Sequence, residues 1–209
     1  MSERGVRSIV DGARGRIVDF AQRLVRAPSL TGDEKLVADL VLQEMRSLGY
    51  GGVRRDPVGN VLGFLSGGKG RSVMLHAHMD VVDPGDRSLW SHPPFGGEID
   101  EGYLWGRGAS DDKGCVAAQV YAGGLIREQG LRPAGDLYVA AVVCEETVGL
   151  GTKYLMRSLR PGLAVIGEPS ANTLRRGHRG RFEFIVTMHG RSAHASATQL
   201  GLIKYVFCV

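Results

Sequence analysis

Apolar residues recur at helical spacing over residues 15–26, RIVDFAQRLVRA, and Pro28 closes that segment. The spacing of Thr31 and Glu34 predicts a capping box before a second helix over residues 32–48, with Gly49 as its C′ residue. The period then changes. Asn60–Leu65 and Ser72–Leu75 read as short strands, a loop rich in Pro and Gly follows residue 82, and Gly97–Trp105 reads as a hairpin. Residues 112–128 read as a helix. Leu137–Cys144 is a continuous apolar run, expected of a strand buried on both faces. Residues 150–159 read as helical and Leu163–Ile166 as another short buried strand. Strands alternating with helices predict an α/β fold, a largely parallel sheet flanked by helices. Arg181–His189 alternates apolar and polar positions like a half-exposed strand, and a domain boundary is placed near residues 172–178.

Composition narrows the class. Of 209 residues, 43% are apolar and 23% charged, which excludes disordered, collagenous and coiled-coil chains. Twenty-six basic against 22 acidic residues give a net charge of +4, too mild to predict nucleic-acid binding. Cys115, Cys144 and Cys208 are odd in number and form no CxxC pair, which fits a reducing cytoplasm. No secretory signal opens the chain, and its longest clean apolar run, Leu137–Cys144, is too short for a membrane span.

The candidate chemistry lies in four clusters. His76-Ala77-His78-Met79-Asp80, Glu145-Glu146 and Glu168 each directly follow an expected buried strand, and Asp111-Asp112 precedes an expected helix. Singly, a histidine or aspartate after a strand is ordinarily a loop residue, and a glutamate pair ordinarily solvated surface. Together they converge on the edge where the carboxyl ends of parallel strands bind ligands. Carboxylates crowded there repel one another, and a bound cation removes that conflict. Mixed imidazole and carboxylate donors suit Zn²⁺, with Co²⁺ or Mn²⁺ as alternatives. Two divalent ions would be neutralised by Asp111, Glu146, Glu168 and a bridging hydroxide.

At these residues the sequence resembles the M20 family of metallopeptidases and amidohydrolases, which includes acetylornithine deacetylase, succinyl-diaminopimelate desuccinylase, carboxypeptidase G2 and aminoacylase-1. The segments LHAHMDVVDPGD, WSHPPFGGEIDEGYLWGRGASDDKG, CEETVGLGTKYL, IGEPS and HGRSAHAS carry the resemblance. It implies a catalytic domain over residues 1–174 and the start of a small α+β lid or dimerisation domain over 175–209. It implies His78 and Glu168 as ligands of a first metal, Glu146 as a ligand of the second, and Asp111 as a bridge between them. By the same resemblance the carboxylate of Asp80 orients His78, Glu145 is the general base, and His194 in the lid helps hold the substrate carbonyl. The implied reaction is hydrolysis of an amide bond in an N-acyl amino acid or small peptide by a metal-activated water, with a homodimer as the full-length form.

The sequence also departs from the family. No histidine follows His194, so the ligand that would complete the second metal site is missing. Thr198 stands where the family usually has Pro, and Ile203 where it has Asn. The apolar tail LIKYVFCV reads as a truncated or frame-shifted terminus, which raises a second reading, a catalytically silent metal-binding remnant. His76 and His92 are conceivable substitute ligands, with packing or loop roles as the alternative. RRGHRGR, with Arg175, Arg176, His178, Arg179 and Arg181, offers anion attraction or a solvated basic hinge.

Overall fold

In the computed structural model, residues 2–177, 179 and 180 are described. The expected strand Arg181–His189, the candidate His194, and His178 and Arg181 of the basic tract lie outside them.

The first helix, α1 (Glu3–Arg26), is longer than its apolar stripe, because Ser2 caps it with a hydroxyl that accepts from the Gly5 amide. Phe20, Leu24 and Val25 face inward at helical spacing. α2 (Lys35–Ser47) ends as the sequence predicts. Gly49, at φ 73°, donates to the Arg46 carbonyl, and Tyr50 donates to Met45, which is the Schellman pattern. The expected capping box at its start does not form. Glu34 makes no side-chain cap bond, and its carboxylate and the Thr31 hydroxyl are drawn to partners far along the chain.

β1 (Gly51–Arg55), β2 (Val61–Leu65), β3 (Val73–His78), β6 (Leu137–Val142) and β7 (Leu163–Ile166) form a five-stranded sheet in the order β1-β2-β6-β3-β7. β4 (Glu98–Asp100) and β5 (Tyr103–Trp105) make the expected hairpin. The sheet is mixed. β1, β2 and β6 pair antiparallel, whereas β6, β3 and β7 run parallel and side by side. The parallel half therefore delivers three carboxyl ends to one edge.

Helix α3 (Lys113–Glu128) packs between α1 and the sheet, and α4 (Leu150–Leu155) caps the opposite face. β6 is buried on both faces as its composition implies. Val139 and Ala141 join the core beneath α1, α2 and α3, and Ala140 and Val142 pack with Leu155 of α4. β7 is not buried, contrary to its apolar reading. It is the outer strand, with Leu163, Val165 and Ile166 about half exposed.

Met1–Pro169 forms one compact unit, and a second begins at Ser170. Within the described part of the second unit, Thr173 closes a turn on the Ser170 carbonyl, and Arg175, Arg176 and Arg179 are exposed. Among the described residues, no helix is long and apolar enough to cross a membrane.

Candidate metal centre

β3 runs further than its sequence pattern implies, so His78 is its last residue rather than the first of a loop. The ring is buried, 2% exposed. Its Nδ1 lies 2.9 Å from the Asp80 carbonyl oxygen. A carbonyl can only accept, so Nδ1 donates to it, and Nε2 is the nitrogen left to face the site. Nε2 lies 2.9 Å from Asp111 Oδ1.

Asp111 stands two residues before α3, joined to Asp112 by a cis peptide. Asp112 is fully buried. Its Oδ2 accepts from the His78 amide, pinning the end of β3 to the start of α3. Burial pushes the Asp112 carboxyl up to about 7. Glu168 arrives from β7. Donor atoms of His78, Asp111 and Glu168 all lie within 4.8 Å of one another. Gly167 allows this approach, because a Cβ there would sit 2.6 Å from the Cys115 Cβ of α3.

Glu145 and Glu146 follow β6, in the loop before α4. Both backbone amides donate to the carboxylate of Asp80, at 2.9 and 3.1 Å. Asp80 is fully buried and also accepts from the Thr31 hydroxyl at 2.8 Å. Burial opposes its charge, but these donors and His78 overcome that and hold its carboxyl below the usual range. Asp80 thus does two jobs. Its carbonyl holds the imidazole, and its carboxylate, 3.5 Å from the same Nδ1, organises the glutamate loop.

The electrostatics of the cluster favour a cation. Burial raises the Glu146 carboxyl, and the nearby charges of Asp111 and Glu145 raise it further. Glu168 is raised by burial and by Asp111, Glu145 and Glu146. Burial lowers the basicity of His78, but the hydrogen bonds that the ring donates to Asp111 and Asp80 override it and push the ring up to about 11. The anions therefore draw positive charge onto Nε2, the atom that would also bind a metal. An imidazole nitrogen and carboxylates of this kind suit a divalent transition metal, so the donor set fits the ion that the sequence implies.

His76 and His92, the other histidines among the described residues, hydrogen-bond within the fold. His76 Nε2 shares a 2.8 Å hydrogen bond with Thr152 under α4, and burial lowers its basicity. His92 stacks on Trp105 at 4.5 Å and bonds Glu98 at 2.8 Å, beside the hairpin.

A mixed sheet that gathers imidazole and carboxylates at the carboxyl ends of its parallel strands defines an α/β scaffold with a candidate metal centre. Residues 74–200 match peptidase family M20/M25/M40, and the chain belongs to that family of metallopeptidases. It is 37% identical over 185 residues to the uncharacterized protein YgeY of Escherichia coli K12, covering 87% of this chain and 46% of that protein. It therefore spans about half the length of that relative. The fold is that of the dipeptidase Dug1p from Saccharomyces cerevisiae (TM-score 0.64, 18% identity, 77% of this chain and 40% of that one). Human carnosine dipeptidase 1 superposes as well (TM-score 0.64, 18% identity, the same 77% and 40%). The dinuclear metal-binding peptidase YXEP of Bacillus subtilis shares the fold at a TM-score of 0.57 and 14% identity, over 75% of this chain and 42% of that one.

Proposed function

We propose that this chain is the metal-binding part of a hydrolase that cleaves the amide bond of a small peptide or N-acyl amino acid. The observation that carries the proposal is the convergence of His78, Asp111 and Glu168 within 4.8 Å, from β3, the start of α3 and β7. His78 and Glu168 would hold one ion, Glu146 a second, and Asp111 both. Zn²⁺ is the expected metal, with Co²⁺ or Mn²⁺ as alternatives. When bound, such an ion polarises the scissile carbonyl and lowers the pKa of water toward ~7.

Glu145 takes the proton of the attacking water and returns it to the leaving amine. Its backbone is fixed by Asp80, so its carboxylate works from a held loop. Asp80 keeps His78 in the tautomer that presents Nε2. His194 would act on the substrate carbonyl in a full-length homodimer. Cys115 and Cys144 are free, consistent with residence in the cytoplasm.

A second reading, a silent metal-binding remnant, draws on the same geometry. Glu146 stands outside the three-residue group found among the described residues. The deciding experiment assays dipeptides and N-acetyl and N-succinyl amino acids with added Zn²⁺ or Co²⁺. Turnover that a chelator abolishes and the ion restores is the expected result. A folded, metal-loaded chain without turnover establishes the remnant.

A further inference from the structure

The loop between α1 and α2 is stitched to the site edge along its length. The Ser29 hydroxyl donates to the Met79 carbonyl at 2.7 Å, and the Val81 amide donates to Ser29 at 2.9 Å. Leu30 bridges Val81 in parallel. The Thr31 hydroxyl donates to Asp80 Oδ2, the oxygen that also receives the Glu146 amide. Glu34, only 6% exposed, accepts from the amides of Gly32 and Cys144 and from the Cys144 thiol. Cys144 is the residue immediately before Glu145 and sits at φ 53°, a left-handed conformation unfavourable to any side chain with a Cβ.

We propose that residues 28–34 are a positioning strap for the Glu145–Glu146 pair, with Thr31 and Glu34 as its positioning residues. Glu34 grips the loop at Cys144, one residue upstream of the pair. Thr31 holds the carboxylate onto which both glutamate amides are hung. Neither residue touches the reacting atoms; they fix the backbone from which the base and the second ion's ligand project. The contacts of Thr31 and Glu34 reach 49 and 110 residues along the chain, so they are tertiary ties rather than helix-capping ones. The functional consequence rests on the assignment of Glu145 and Glu146 as base and ligand, whereas the strap itself rests on the contacts alone.

The test uses the full chain and its Thr31→Val and Glu34→Ala variants. Hydrogen exchange of the metal-free proteins is followed by mass spectrometry at residues 144–146. Exchange there is expected to accelerate at least about tenfold, as for loss of one hydrogen bond to a charged group, with β3 and α3 unchanged. Thr31→Ser, which restores the hydroxyl, and Glu34→Gln, which restores the acceptor oxygen, should return exchange to the parent rate. In Co²⁺ titrations the weaker binding step should shift about 10-fold or more in Thr31→Val while the tighter step holds. In an active chain kcat should fall with KM nearly unchanged. Unchanged exchange at 144–146 overturns the strap, whatever the metal does. Faster exchange with unaltered Co²⁺ binding overturns its role toward the ligand. A parent that binds no Co²⁺ refutes the metal-site reading instead, and the exchange result still decides the strap.

Discussion

Gly167→Ala probes how closely β7 must approach α3 to deliver Glu168. The added Cβ would lie 2.6 Å from Cys115 Cβ, 2.9 Å from Gln119 Nε2 and 3.3 Å from Cys115 Sγ. Carbon atoms in contact sit ~3.5–4.0 Å apart, so about 1 Å must be found. The glutamine can swing aside, but the Cys115 Cβ is fixed to the backbone of α3. The strand cannot yield freely either, because the Gly167 amide donates to the His76 carbonyl at 2.7 Å. Overpacking of this kind costs ~1–3 kcal/mol. Metal ligands tolerate only about 0.2 Å of error, so displacing Glu168 should weaken the first ion ~10–100-fold. Denaturant unfolding of the metal-free chain and a Co²⁺ titration measure the two effects separately. Cys115→Gly removes the opposing carbon at a cost of ~1 kcal/mol as a helical glycine, and the double variant should recover most of the lost affinity. Parent-like affinity in Gly167→Ala, or strict additivity in the double variant, would refute the argument.

Three further outcomes are expected. Glu145→Ala should abolish turnover and leave metal content near that of the parent; loss of metal would contradict its role as base. Asp111→Ala should lose both ions, and retained stoichiometry would remove its bridging role. Arg16 ties α1 to the end of α3 through two hydrogen bonds to Glu128, at 2.7 and 2.9 Å. The pairing holds the Glu128 carboxyl below its ordinary 4.5. Its contribution is therefore present above about pH 4.5 and lost as pH falls through the lowered value. Glu128→Gln should cost no more than ~1 kcal/mol at neutral pH, because the pair is partly exposed, and nothing well below pH 4, as urea melts across pH can establish.

What the sequence discloses depends on how local each cause is. β6 is legible because a short unbroken apolar run rich in Val and Ala suits a strand covered on both sides, which places the glutamates after it at a sheet edge. Gly49 is legible because a helix end needs a left-handed residue wherever it falls. β1 is not legible, since GGVRR is an outer strand with a mostly solvated pattern and a bulge, lacking apolar alternation. LAVI in β7 reads as buried because apolar composition reports what a strand can bury, while its neighbours decide what it does bury. Thr31 and Glu34 mislead for the opposite reason. Their spacing satisfies a local rule, but Asp80 and the strained Cys144 compete for the same oxygens and win. The candidate metal cluster is visible in outline, as strand-end donors, yet the second task of Asp80 is invisible, because backbone amides of distant residues leave no mark in side-chain identity.

The central claim is that one cation binds where β3, β7 and the start of α3 meet. Anomalous diffraction from crystals of the chain grown with Zn²⁺, recorded on both sides of the zinc edge, tests it directly. The account predicts a peak ~2.0–2.2 Å from His78 Nε2 and from carboxylate oxygens of Asp111 and Glu168. Zinc bound elsewhere, with Nε2 of His78 still paired to Asp111 alone, would contradict it.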